Sequence, residues 1–537
     1  MENTRFPPTS TYVSPRLTAV TGTVNDTVSQ AFSKKLFALR AWALAAAAVT
    51  AFSACGKPGS SSTSASAKAP APQPPPVAAS TAAPPSGRQP GSDQRLIGVS
   101  RKTFVADGKN YVDIDMQSQA LSFVFDVGTK TTTGHSLISF RQRNAGRPFF
   151  FLDADIRGVR LNGEKVGFTK VTDPQKLNTF VALEKELPPG RLSMLEVDYR
   201  LPANRTEFRE SGVGFITSMA DLTPGHFLER WGPANFEEDT FALTVNLLVR
   251  GGTDKHKVFT NGELAQTGEK SWQIRFPANY DSSSFFVHLT DKDLSVRQFT
   301  VQGMQRPIPM TIYSASPELA NQAAEKMPGL IKELEADYGP YVHPRFTAYI
   351  SGSSGGMEYV GGALTSVKSL GHETLHQWFA RGVMPADGRS GWIDEAIASW
   401  RDYGYQRNAP GDRKPTNLAW YSSWQRGTPH NAYTDGRALL AEWDYLLRDR
   451  GGLKPVLQKF FARFHSLVIS TEDFRAFLHQ EAGIDVDPSF EKYVYDDKGS
   501  APSEEGPEPD ASPTGEPLPP DSLHPTPLTE AELKELR

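Results

Sequence analysis

One stretch carries residue types and spacing suited to metal chemistry. His372-Glu373-Thr374-Leu375-His376 sets two imidazoles four positions apart, and Glu395 follows after eighteen intervening residues. On an α-helix, positions i and i+4 share a face, so both rings can reach one metal ion. Zinc in hydrolases typically takes three protein ligands and keeps a fourth position for water. His372, His376 and Glu395 supply two nitrogens and a carboxylate for one Zn2+ per chain. Glu373 sits beside them, placed to take a proton from a water that the ion activates. The chemistry this set suits is metal-assisted hydrolysis.

The surrounding sequence must position these groups. Ser369–Ala380 and Gly391–Trp400 read as helices. Ahead of them, Ser316-Pro317-Glu318 predicts an N-cap, a first-turn proline and an acid opening a helix to about Tyr338. Gly339-Pro340 breaks it. An apolar strand over Phe346–Ile350, a Gly/Ser loop over Ser351–Gly356 and a short segment over Met357–Val367 come next. Beyond Glu395, Asp435 is expected to cap a helix from Gly436 to Arg450, ended by Gly451-Gly452. Further helices are predicted over Leu453–His465 and Thr471–Ala482.

Between about Leu96 and Val301 the hydrophobic period is two instead. Leu195, Val197 and Tyr199 alternate with polar residues, and Asn162-Gly163 and Asn261-Gly262 sit where type I′ hairpin turns want them. The expectation is an α+β multidomain chain, with an N-terminal antiparallel β domain followed by a mixed α/β domain holding the site.

Composition narrows the partners. The 537 residues carry a formal net charge of −4 and no basic block, which argues against nucleic acid. With Cys55 the only cysteine, neither an intramolecular disulfide nor a Cys-based zinc site is possible. Lys34, Lys35 and Arg40 precede an uncharged run from Ala41 to Ala54, which ends in Phe-Ser-Ala before Cys55. A basic region, a short apolar region and small residues describe a secretory signal. Followed by cysteine, the pattern resembles the lipobox of bacterial lipoproteins. That resemblance implies cleavage before Cys55, a lipid on its sulfur, and a place on the membrane in the extracytoplasmic part of a bacterial envelope. A Ser/Ala/Pro-rich stretch then reads as a tether, and an acidic, Pro-rich tail as disordered.

The flanks of the site narrow the reading further. His372–Phe379 and Trp392–Trp400 resemble the HELAHQWF and WLNEGFASY segments of the aminopeptidase N family of zinc metallopeptidases, members of the gluzincins. Gly355-Gly356-Met357-Glu358-Tyr359 is similar to that family's GxMEN exopeptidase motif, Asp337–Pro344 to its FGPYPYPK-like lead-in, and Tyr433–Leu440 to its Y-x-x-G-x-x-x-L helix start. The resemblance spans about 96–497. It implies a thermolysin-like catalytic domain and peptide substrates. It also implies that Tyr433 steadies the oxyanion, that Glu358 binds a free α-ammonium, and that Gly355, Gly356 and Met357 lie against the peptide. Tyr359 stands where the motif has asparagine, and Asp394 and Ala396 replace Asn and Gly beside Glu395. Over His226–Glu238 the likeness is loose, with Glu229 the candidate for a second amine contact.

The domains expected are 1–55 extension and signal, 56–95 linker, 96–302 β domain, 303–497 zinc peptidase domain and 498–537 tail. The family's large C-terminal helical domain has no counterpart here, so an open cleft is expected. The leading functional reading is an aminopeptidase. The alternatives are a gluzincin endopeptidase or glycyl-aminopeptidase-like enzyme, and a catalytically silent zinc-binding surface module.

Overall fold

The change of hydrophobic period is also a change of architecture. The computed structural model describes residues 102–496, apart from 221, 223–226, 237–238, 254, 277–280, 282–283, 353–354 and 426. Cys55, the linker and the tail lie outside the described residues. All of the described chain falls in one compact unit.

In the N-terminal half, alternation builds a large sheet around β1 (Asp115–Asp126), β2 (Thr131–Arg141), β3 (Asp155–Leu161), β4 (Ser193–Arg200) and β5 (Ala242–Arg250). Leu121, Phe123 and Phe125 of β1 and Leu195, Val197 and Tyr199 of β4 point into the core, with polar neighbours facing out. The order is Glu263–Gly268, Ser271–Arg275, β5, β1, β2, β4, β3, Glu164–Lys165. The pairing is mostly antiparallel, as expected, with two parallel pairs among the described strands of this half. β1 pairs with β5 in parallel, as do Lys109–Asp113 and Arg147–Phe150. More than a hundred residues separate β1 from β5, and a parallel pair needs such a crossover instead of a hairpin.

The two Asn-Gly pairs part ways. Asn162 and Gly163 have φ of 54° and 87° and close the turn between β3 and Glu164–Lys165, as predicted. Asn261-Gly262 makes no hairpin, because Lys257–Thr260 and Glu263–Gly268 belong to different sheets. Its side-chain amide donates instead to the carbonyls of Ser284 (2.7 Å) and Val360 (2.8 Å), which ties the β domain to the C-terminal half.

The C-terminal half is built on a five-stranded sheet, ordered β6 (Ser295–Gln302), β7 (Pro307–Ser314), β8 (Phe346–Ser351), β10 (Gly362–Ser366), β9 (Met357–Tyr359). β6 lies within the stretch assigned by sequence to the β domain, yet it forms the edge of this second sheet, paired along its length with β7. Helix α1 (Pro317–Tyr338) starts where Ser316 accepts from the Leu319 N–H and buries Ala323, Met327, Ile331, Leu334 and Tyr338 along one stripe. It is followed by α2 (Leu370–Leu375), α3 (Ile393–Asp402), α4 (Asp435–Leu446), α5 (Lys454–Phe464) and α6 (Thr471–Ala482). Asp435 does not cap α4 as predicted. It is the first helical residue, Thr434 holds the cap position, and a 3-10 turn over Arg448–Arg450 replaces the last stretch.

Two apolar clusters organise these layers. One fills the β domain and continues across to Tyr313, Tyr349, Met357 and Tyr359. The other packs Trp378, Trp392, Trp400 and Trp443 around α2 and α3. The loop between α3 and α4 also reaches back, setting Trp424 against Phe104, Phe180 and Phe236 of the β domain. The site elements are therefore held from both sides.

Candidate metal centre

α2 is only six residues long, so the metal-binding pattern does not sit inside a long helix. His376 ends it in helical conformation, its N–H 3.3 Å from the His372 carbonyl, and the i, i+4 relation survives. Each ring is fixed from behind. His372 turns Nδ1 to Asp402 Oδ2 at 2.7 Å, and His376 turns Nδ1 to the Phe379 carbonyl at 3.1 Å. Both Nε2 atoms therefore point inward, the arrangement that sets tautomer and ring direction for ligation. They lie 2.9 and 3.5 Å from one oxygen, Oε2 of Glu395 on α3. The three side chains are each no more than 3 % exposed, and their ligand atoms all fall within 4.8 Å of one another.

This set fits a divalent cation. Nε2 of His376 and Oε1 of Glu373 are buried polar atoms without a hydrogen-bond partner, a costly state that a bound ion and its water would relieve. The local field favours positive charge. Burial works against the His372 imidazolium, yet Asp402 and Glu395 outweigh it and hold that ring well above its usual range. Burial likewise opposes charge on His376, but Glu395 and Glu358 lift it to about 10. Glu395 is driven the other way, its buried carboxyl held far below the usual range by His376 and His372. A pocket that stabilises cationic imidazoles this strongly would also attract a metal.

Glu373 and Glu358 complete the group. Their carboxylates lie with His376 inside a second cluster whose ligand atoms fall within 4.8 Å. Burial pushes the Glu373 carboxyl up to about 8, and Glu358 and Glu395 push the same way against His372 and His376. Gly356 makes room for it. A Cβ there would overlap the Glu373 carboxylate, so a side chain on that loop residue would displace the acid. In β9 the alternation of a strand aims Met357 and Tyr359 into the β-domain core and leaves Glu358 on the opposite face. Tyr359, in place of the motif's asparagine, is thus a fastening. Its hydroxyl donates to the Thr217 carbonyl (3.2 Å) and accepts from the Met219 N–H (3.3 Å).

Glu358 has a partner that sequence reading missed: Arg381 Nη2 lies 3.0 Å from its Oε1, with both side chains almost wholly buried. Asp402 was missed as well. It follows Glu395 by seven residues, two turns along the same face of α3, so helical spacing could have found it. Tyr433 is placed beside the site, its ring stacked on His372 with centroids 6.2 Å apart. It comes close because Gly436 has no side chain; a Cβ there would meet Cβ of Ala396, next to Glu395, at 2.8 Å. Gly355 is buried just before Gly356. Glu229 belongs to neither of the two histidine–carboxylate clusters that share His376. Its Oε1 accepts from the Phe227 N–H at 3.0 Å in a short 3-10 turn, and burial raises its carboxyl above the ordinary range.

No protein-family model matches the sequence, and no curated protein sequence does. Solved structures do match. A two-domain M1 zinc metallopeptidase mutant bound to L-tryptophan superposes with a TM-score of 0.54 at 14% identity, over 72% of this chain and 96% of that one. An M1 zinc metallopeptidase mutant from Deinococcus radiodurans, bound to a Tyr-Ser-Ala substrate, gives 0.54 at 15% identity over 72% and 96%. The fold is that of the M1 zinc metallopeptidases. Native yeast LTA4 hydrolase shares it, with a TM-score of 0.53 at 13% identity over 71% of this chain and 68% of that one.

Proposed function

We propose that this chain is a zinc-dependent peptidase that releases N-terminal residues from peptides. The observation that carries the reading is the convergence of His372, His376 and Glu395 on one buried point, with Glu373 and Glu358 alongside. Zinc bound there supplies a Lewis acid that lowers the pKa of water and polarises a carbonyl. Glu373, whose carboxylate lies in the same cluster as His376, takes the proton from the attacking water and passes it to the leaving amine. Tyr433 donates a hydrogen bond to the oxyanion as it forms. β9 is an edge strand, so an extended peptide can pair with it while the Gly355-Gly356 backbone lies close. Glu358 then faces the peptide's N-terminal end.

A second reading, hydrolysis of N-blocked or internal bonds, is favoured by one observation: Glu358 is already paired with Arg381. The zinc content of purified protein and its hydrolysis of free and N-acetylated peptides, run beside Glu373→Gln, test the proposal. One zinc per chain with activity lost in the variant supports it. Zinc without hydrolysis across a broad peptide library would leave a silent binding module. We also propose an extracytoplasmic place on the membrane through lipid at Cys55. Labelled palmitate should enter the wild type and not Cys55→Ser; label persisting in the variant would sink that part.

A further inference from the structure

We propose that Arg381 is the specificity-determining residue of the N-terminal subsite, making it charge-balanced, so that acylated and free N-termini are accepted alike. The proposal rests on the peptidase reading above and names the substrate class of the same site. A lone buried carboxylate beside the metal ligands would attract an α-ammonium strongly. Glu358 is not alone, because the Arg381 guanidinium holds its Oε1 at 3.0 Å. Both side chains are 3 % exposed or less, so neither can swing into water to leave the other uncovered. An incoming ammonium is drawn by Glu358 and by the Glu373 carboxylate of the same cluster and repelled by the Arg381 guanidinium, so that once Glu373→Gln removes the second carboxylate a neutral amide loses little by comparison.

The backbone delivers Arg381 to this position at a cost. Ala380 has φ of 107°, a conformation that residues with a Cβ rarely adopt. The turn is closed by the Ala380 N–H on the Val383 carbonyl (3.0 Å) and the Arg381 N–H on the His376 carbonyl (2.9 Å). The residue after the strained alanine is thereby bonded to the last residue of the metal-binding pattern and directed at Glu358. Position and charge come from one turn.

Calorimetric binding of Leu-Gly-Gly and acetyl-Leu-Gly-Gly to zinc-loaded Glu373→Gln protein tests this without turnover. The parent should bind the two within about fivefold, the scale left when opposing charges cancel. Adding Arg381→Gln should raise the preference for the free amine roughly tenfold or more, with zinc retained, and Arg381→Lys should keep the parent ratio. If Arg381→Gln does not fold, Glu358→Gln decides, because it leaves the guanidinium uncompensated and should turn the preference about tenfold toward the acetylated peptide. A ratio unchanged in the folded variants, or a parent that binds only the free amine, overturns the proposal. Should the zinc-loaded wild type hydrolyse neither peptide, the peptidase reading fails, while the binding ratio still decides the role of Arg381.

Discussion

Asp402 Oδ2 lies 2.7 Å from Nδ1 of His372, on the ring edge opposite the nitrogen that meets Glu395. Asp402 is itself braced by Arg401, which pairs in turn with Glu333 on α1. An acid in this position orients the imidazole and raises its basicity toward a metal. Asp402→Asn should therefore leave the fold intact and weaken zinc binding roughly 10- to 100-fold. Competition against a chelating dye measures it. Unchanged affinity would mean that the ring is oriented by packing alone.

Gly356 and Glu373 give a prediction that separates catalysis from metal binding. A Cβ at residue 356 would overlap the Glu373 carboxylate, and the three atoms nearest to it all belong to Glu373 and none to His372, His376 or Glu395. Gly356→Ala should keep one zinc per chain and lower kcat on the order of 10²-fold, the cost of misplacing a reacting group by about an ångström. Zinc lost in parallel with activity would point to a wider disturbance.

The reach of the sequence can be judged at particular residues. His372, His376 and Glu395 were legible because two local spacings on adjacent helices bring them together, and Ser316 and Thr471–Ala482 because caps and periodicity are local too. Arg381 was not, since its meeting with Glu358 depends on the register of β9 and on the turn at Ala380. Asn261-Gly262 carries the same local signal as Asn162-Gly163, but a tertiary use of its amide wins. The parallel β1–β5 pair is a long-range register that no window of sequence contains.

Tyr359 fastens the edge strand of the site to the β domain through Thr217 and Met219. Tyr359→Phe keeps the ring packed on Phe286 but leaves a buried carbonyl and N–H without that partner. The expected loss is about 1–3 kcal/mol, from two neutral hydrogen bonds and the groups they satisfied. Urea unfolding measures it. A loss under about 0.5 kcal/mol would show that the hydroxyl contributes nothing net to the junction.

His343 supplies the pH dependence. It is buried with Nε2 on the Gln377 carbonyl at 3.0 Å, and burial lowers its pKa to about 4, with Arg306 and Arg381 acting in the same direction. Unfolded, it takes up a proton near its ordinary pKa of about 6.5; folded, it stays neutral down to about 4. Between those values the unfolded state binds more protons, so stability falls as pH falls. The loss should reach roughly 2–4 kcal/mol at the acid end of the window. Chelator-treated wild type and His343→Gln, compared by urea unfolding, isolate this group, because the metal ligands titrate equally in both. The variant should be the less stable at pH 7.5, where it has lost a hydrogen bond, and the gap should close or reverse by about pH 4.5. A gap constant with pH would mean that His343 takes up its proton at the same pH folded and unfolded.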